Sequence, residues 1–300
     1  MDQPPAQAST GGRLLNTFLN RPIENHISGW SDLWDSGESG LWDRGKASPA
    51  LVDLIEREDT SSFFDPFTQD GRRKKALVPG CGRGYDAVML ALHGFDVVGL
   101  EVSETAVREA EIYAAGELSR PSSCHFGEGY CAPSSKGSVR FELGDFLNPR
   151  WPRGDESDQI DGFDLVYDYT VSLAHFASIS TRYLAMAVQL SDCKDSFYRK
   201  KWAESMARVI KPQGLLVCLE FPMYKDPKLP GPPWGLKGVH WNLLARGGDG
   251  IITQEVGGDG KESGSCDARG GHFQRILYIK PPRSYEVAKG TDMISVYARK

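Results

Sequence analysis

The chain has 300 residues, 40% hydrophobic and 25% charged, enough for one large domain with a substantial core. With 40 acidic against 35 basic residues the net charge is −5, which argues against nucleic acid as a partner because phosphate neutralisation needs a basic face. No apolar run reaches bilayer-spanning length, residues 1–12 are small and polar, and the six cysteines form no C-x-x-C pair, so we expect a cytoplasmic protein without membrane, disulfide or metal chemistry. Cys124-His125 with Cys131 comes nearest to a metal cluster, but the fourth ligand and the usual spacing are missing.

Residues 1–12 read as a disordered start and residues 13–28 as a short helix. Between Gly29 and Pro49 the chain carries Trp30, Trp34 and Trp42 among aspartates and glycines. Trp30 and Trp34, four apart, share one helix face. They serve either as packing over a sheet edge or as an aromatic flap, whose ring faces attract a cation. Leu51, Leu54 and Ile55 give the next helical pattern, and residues 13–60 together read as a flap over the domain.

Lys74 to Val78 reads as a strand, Asp86 to His93 as a helix and Asp96 to Leu100 as the second strand. Ser103 is placed as an N-cap, with Glu104 in the first turn of a helix reaching about Leu118. Residues 119–138 form a Ser-, Gly- and Pro-rich loop before a strand over Val139 to Leu143, which ends at Gly144-Asp145-Phe146. Phe163 to Tyr169 is the fourth strand and Tyr198 to Ile210 a helix that stops at Lys211-Pro212-Gln213-Gly214. Gly214 to Phe221 is the fifth strand, 247–271 a Gly-rich loop, and Phe273 to Lys280 with Met293 to Arg299 the last two strands. Alternating βα units closed by a strand pair predict an α/β, Rossmann-like sheet of seven strands, one antiparallel, with helices on both faces. We expect a single domain over 13–300.

The loop between the first strand and its helix reads Leu77-Val-Pro-Gly-Cys-Gly-Arg-Gly-Tyr-Asp86, so Gly80, Gly82 and Gly84 alternate. Such a loop lets backbone approach a nucleoside, and Glu101 at the tip of the next strand lies where an acid accepts hydrogen bonds from ribose hydroxyls. A dinucleotide loop needs a small residue where this chain has Tyr85, and no P-loop sequence exists. The pattern points to S-adenosylmethionine, a sulfonium cofactor without phosphate. Asp145 and Phe146, at the same rim, suit hydrogen bonding and stacking on a purine.

Trp30-x-x-x-Trp34, Leu41-Trp42-Asp43-Arg44-Gly45 leading to Ser48-Pro49, LVPGCGRGYD, VVGLEVSETAV, FDLVYDY, Trp202-Ala203 to Met206, IKPQGLL and Phe221-Pro222-Met223 occur in this order. Over roughly residues 28–225 the chain therefore resembles the thiopurine S-methyltransferase-like enzymes, in the branch of halide, thiocyanate and fungal thiol methyltransferases. The resemblance implies cofactor contacts from Trp30, Trp34, Trp42, Gly80, Glu101, Asp145, Phe146 and Tyr169, and a small-molecule acceptor. One residue more separates Trp34 from Trp42 than in the plant pattern. Residues 178–197 add about twenty residues to the pattern, either as a lid or as an intron read into the chain.

The implied reaction is in-line attack of a soft nucleophile, most simply a thiolate, on the cofactor's methyl carbon. Asp168 and Tyr169 are candidates to orient the acceptor; His175 and His240 are weaker candidates for a base. An O-methyltransferase of a secondary metabolite, or a protein that binds the cofactor without turnover, would share the same cofactor motifs.

Overall fold

Seven strands form one sheet in the order β3-β2-β1-β4-β5-β7-β6 in the computed structural model, which describes residues 10–19, 21, 25–130, 135–151, 162–169, 188–224, 236–250, 252 and 270–300. The strands are β1 (Lys75–Pro79), β2 (Asp96–Glu101), β3 (Val139–Leu143), β4 (Phe163–Asp168), β5 (Ile210–Glu220), β6 (Phe273–Ile279) and β7 (Met293–Arg299). β1 to β5 run parallel, and β7 is antiparallel to both β5 and β6. The sheet has the expected architecture, and its order reverses at β1, the switch point where open α/β sheets hold their ligands.

The central strands are near-continuous apolar runs because helices cover both faces. Two buried clusters result. Leu165, Tyr167, Val217 and Val296 belong to one, with Leu51 and Met89; Leu77, Val98, Val166, Leu216 and Tyr297 belong to the other, with Trp202 and Met206. From Leu165 onward, past the irregularity after Phe163, odd and even residues of β4 face opposite layers, which decides the fate of Asp168 below.

Among the described residues the α-helices of four residues or more are α1 (Thr10–Leu19), α2 (His26–Asp35), α3 (Pro49–Ile55), α4 (Ser61–Phe64), α5 (Tyr85–Leu92), α6 (Glu104–Ser119) and α7 (Val188–Val209). Ser48 Oγ accepts from the Leu51 N–H at 3.4 Å with Pro49 in the first turn, and Ser103 Oγ accepts from the Ala106 N–H at 3.2 Å, so both helix starts carry side-chain caps. The stretch expected as one helix over 13–28 is instead the end of α1 and the start of α2. Arg21 precedes a proline, a position pushed out of helical backbone, and α1 has stopped by Leu19. Residues 10–12, read as disordered, open α1.

The turn expected at 211–214 lies inside β5 as an irregularity. Phe163 pairs with Ile210 but Leu165 with Leu215, and Gln213 takes φ 65° to absorb the extra residues. Of the Gly-rich stretch, 251 and 253–269 lie outside the described residues, as do His175 and residues 178–187; residues 188–197 open α7. Among the described residues no helix is long and apolar enough to cross a membrane.

Candidate active site

A cavity of about 270 Å³ opens over the C-terminal ends of β1, β2 and β4, with the tryptophan segment on its far side. Its floor is the glycine loop. Gly80, Gly82 and Gly84 all have positive φ (62°, 53° and 76°). At Gly84 the reason for glycine is double, since a Cβ there would also lie 2.6 Å from the Phe141 ring. The loop is held shallow by Gly84 N–H donating to Cys81 O at 2.8 Å and Cys81 N–H to Leu100 O at 3.1 Å.

Glu101, the last residue of β2, is buried beside this loop and lines the cavity. Its Oε2 accepts from the Gly82 N–H at 3.0 Å, and its Oε1 from those of Val102 at 2.8 Å and Ser103 at 3.3 Å. Burial pushes its pKa up, while the three amides oppose that shift by favouring the carboxylate. A carboxylate has about four lone-pair sites, so one on Oε2 remains for a ligand hydroxyl.

Trp30 and Trp34 share a face of α2, and Trp42 reaches them from the following loop. Trp42 meets each edge-on, with ring centroids 5.3 Å from Trp30 and 5.5 Å from Trp34. Phe18 backs Trp30 at 4.9 Å. All three indoles line the cavity, and a Cβ on Gly82 would sit 3.4 Å from Trp34, so the roof closes directly onto the glycine loop. The Trp30 Nε1–H is buried and meets no acceptor among the described residues.

Arg83 clasps this roof to the sheet. Its guanidinium donates to Glu109 at 2.6 Å on α6, to Asp43 at 2.6 Å and to Ser39 at 3.2 Å, and lies over the Trp34 ring at 5.6 Å. Asp43 is nearly buried, so removing Arg83 leaves its charge unpaired, with only the Gly45 N–H at 2.7 Å and the Tyr85 hydroxyl at 3.3 Å as donors. Arg83→Met is expected to raise the cofactor KM about tenfold, the lower end for a hydrogen bond to a charged group because Arg83 is partly exposed. Steady-state kinetics at saturating acceptor measure this, and an unchanged KM would mean that the roof holds without its clasp.

Asp145 and Phe146 follow β3 and line the cavity on the side of Glu101. Asp145 Oδ1 accepts from the Leu147 N–H at 2.8 Å, which fixes the turn, and Phe146 is buried against the second core cluster. The opposite end is walled by Tyr167, Tyr169, Tyr285, Phe221 and Asp86, with Arg44 and Lys46 exposed where it meets solvent. Tyr169 packs on Tyr285 at 5.7 Å, whose hydroxyl donates to Lys46 O at 2.9 Å. Burial raises the Tyr169 hydroxyl to about 12 and the Asp86 carboxyl to about 6, the latter held down by the Ser48 N–H at 2.7 Å. The Cys81 thiol in the same cavity is pushed well above its ordinary value by burial, so it stays protonated.

Asp168 does not join them. It lies on the other face of β4, buried, where Oδ2 accepts from Trp202 Nε1–H at 2.8 Å. Strand alternation puts Tyr167 and Tyr169 into the cavity and sends Asp168 the other way, so its expected role beside the acceptor is withdrawn. His240 packs against Trp202 on that same far side, and burial lowers it to about 3, so it stays neutral. His125 is engaged with Tyr113 at 3.0 Å and Glu117 at 3.2 Å, and Cys131 lies outside the described residues. Asp86, Arg44, Lys46, Tyr167 and Tyr285 escaped the sequence reading. Only Asp86 carried a signal, at the second position of the helix that follows the glycine loop.

This sheet order, with a glycine loop and a buried strand-end acid facing one cavity, defines the S-adenosylmethionine-dependent methyltransferase class. The fold agrees with the magnesium protoporphyrin IX methyltransferase of Synechocystis PCC 6803, solved with S-adenosylhomocysteine bound. That chain superposes with a TM-score of 0.51 at 12% identity, covering 92% of this chain and 100% of the other. The thiopurine S-methyltransferase family profile matches residues 26–198. A probable thiol methyltransferase 2 of Arabidopsis thaliana is 31% identical over 212 residues, 70% of this chain and 68% of that protein. Thiocyanate methyltransferase 1 of the same plant is 31% identical over 240 residues, 78% and 79% of the two chains. The chain belongs to the thiopurine S-methyltransferase family, and it is an S-adenosylmethionine-dependent methyltransferase.

Proposed function

We propose that this enzyme methylates a small thiol, and that Trp30, Trp34, Trp42, Gly80, Glu101, Asp145, Phe146 and Tyr169 hold the cofactor. The donor set suits it: a carboxylate with an open lone pair for the ribose, an unmet indole N–H and aromatic walls for a cation. When bound, S-adenosylmethionine supplies an activated methyl group on a sulfonium. What remains for the protein is to align the acceptor, exclude water and receive at most one proton. Alignment of this kind can contribute about 7–11 kcal/mol.

The observation that carries the thiol reading is the proton chemistry of the acceptor end. The hydroxyls of Tyr167, Tyr169 and Tyr285 are all raised by burial and stay neutral, and we assign the base to Asp86, which lines the same cavity and is raised by burial to about 6. Moving a proton from a thiol near pKa 8.5 to such a group costs about 3 kcal/mol, against about 5 kcal/mol from a phenol near pKa 10. An aromatic thiol and the phenol of the same shape therefore discriminate the readings. Thiophenol is expected to turn over with the S-methyl product while phenol does not. Methylation of phenol at a comparable rate would replace this reading with an O-methyltransferase.

Asp86 also sets a pH dependence. Activity is expected to rise through about pH 6 as its carboxyl ionises, and then further toward the acceptor's own pKa. Because the folded value is raised above the ordinary 3.8, burial of the neutral acid favours folding fully below about pH 4. That contribution is lost as pH climbs through about 6. Asp86→Asn, uncharged throughout, is expected to lose about tenfold in kcat/KM and to abolish the limb near pH 6. A pH profile of kcat/KM unchanged by the substitution would remove Asp86 from the reaction.

A further inference from the structure

Two cations stand at the acceptor end of the cavity without acidic partners. Arg44 and Lys46 both line it and both are exposed, and among the described residues neither enters an ion pair with a carboxylate. The other arginine lining the cavity, Arg83, is fully engaged by Glu109 and Asp43. Of the acids nearby, Asp43 pairs with Arg83, Asp86 accepts from the Ser48 N–H, Glu101 accepts from three backbone amides and Asp292 accepts from the Ser284 hydroxyl; none of them pairs with Arg44 or Lys46 among the described residues. The cavity lining carries four carboxylates (Asp43, Asp86, Glu101 and Asp145) against three cations, so the attraction for an anion is local to Arg44 and Lys46, the two charges that no carboxylate pairs among the described residues.

Their placement is fixed by the fold. The segment that bears them is anchored at one end by Asp43, whose Oδ1 accepts from the Gly45 N–H at 2.7 Å. At the other end Ser48 caps α3, and Tyr285 ties down the Lys46 carbonyl from a loop far along the chain. Arg44 and Tyr169 line the same cavity; burial raises the Tyr169 hydroxyl and the nearby Arg44 charge opposes that rise, so the guanidinium N–H groups and the Tyr169 O–H stand near one another as donors. A planar guanidinium beside a neutral phenol is a geometry that takes a carboxylate in bidentate fashion.

We propose that Arg44, assisted by Lys46 and the Tyr169 hydroxyl, reads a negative charge on the acceptor, and that the preferred substrate is a small thiol that also carries a carboxylate. This rests on the thiol reading above and narrows it. Arg44 is then a specificity residue, which holds the acceptor's anionic end while the sulfur faces the methyl group.

The test compares 3-mercaptopropionate with its uncharged counterpart 3-mercaptopropanamide, with rates referred to the thiolate present. The wild-type kcat/KM ratio is expected to favour the carboxylate by about 10- to 100-fold, the range for one hydrogen bond to a charged group. Arg44→Gln is expected to bring that ratio close to one, and Arg44→Lys, which keeps the charge and loses the fork, to retain part of it. The dissociation constant of S-adenosylhomocysteine should move less than twofold in both variants. Wild-type turnover of both thiols at equal kcat/KM would overturn the proposal and leave the thiol reading standing. Weaker cofactor binding in Arg44→Gln with an unchanged ratio would overturn it too, by assigning Arg44 to the cofactor's own carboxylate. Failure of every thiol would overturn both readings together.

Discussion

Glu101→Ala is expected to weaken binding of S-adenosylmethionine and S-adenosylhomocysteine by about 100-fold or more. Two effects add. The ribose loses a charged acceptor, worth about 1.5–3 kcal/mol per hydrogen bond. The amides of Gly82, Val102 and Ser103 lose the carboxylate that now gathers them at 2.8–3.3 Å, so the glycine loop itself is released. Glu101→Gln separates the two. It keeps one carbonyl oxygen for the amides but turns an NH2 toward the others, and is expected to fall between wild type and alanine. Isothermal titration with S-adenosylhomocysteine reads the affinity directly, and a loss below about threefold for the alanine variant would show that the ribose lies elsewhere.

Trp34→Ala should be the most damaging change in the roof. Trp34 is 5% exposed, packs edge-on against Trp42, lies under the Arg83 guanidinium and touches the glycine loop at Gly82. Truncating a buried tryptophan costs about 3–5 kcal/mol, which corresponds to a Tm lower by about 5–8 °C in a chain of this size. The loss of a wall of the cavity adds a functional effect that stability alone does not explain. At a temperature where the variant is fully folded, the cofactor KM is expected to rise about tenfold or more. Trp34→Phe keeps an aromatic face and should recover much of that affinity. If the alanine variant lost stability but bound the cofactor as wild type does, the tryptophans would be packing over a sheet edge and nothing more.

Much of the nucleoside end was legible in the sequence because its parts are local. The glycine loop, the acid at the tip of β2 and the turn after β3 each sit within a few residues of a strand end, and hydrophobic periodicity finds those ends. The end proposed for the acceptor was legible only at Tyr169. It brings together Arg44, Asp86, Tyr169, Phe221 and Tyr285, which are far apart along the chain and meet through the closure of the sheet and the tie from Tyr285 to Lys46. The misplacement of Asp168 has a related origin. β4 is buried on both faces, so FDLVYDY shows no alternation from which to tell which parity faces the ligand. Aromatic residues at 167 and 169 fit the cavity wall, and the acid between them found Trp202 in the opposite layer. The single helix expected over 13–28 missed a break because the apolar pattern resumes in phase with tryptophans on the far side.

The account's central claim is methyl transfer from S-adenosylmethionine to sulfur, and following a ¹³C-labelled cofactor methyl by NMR tests it most directly. With the purified protein, labelled cofactor and a small thiol, the sulfonium methyl signal is expected to decay as a thioether methyl signal grows in equal amount, and Glu101→Ala should slow both. A label that stays on the cofactor with every thiol offered, or that emerges on oxygen, would contradict the account.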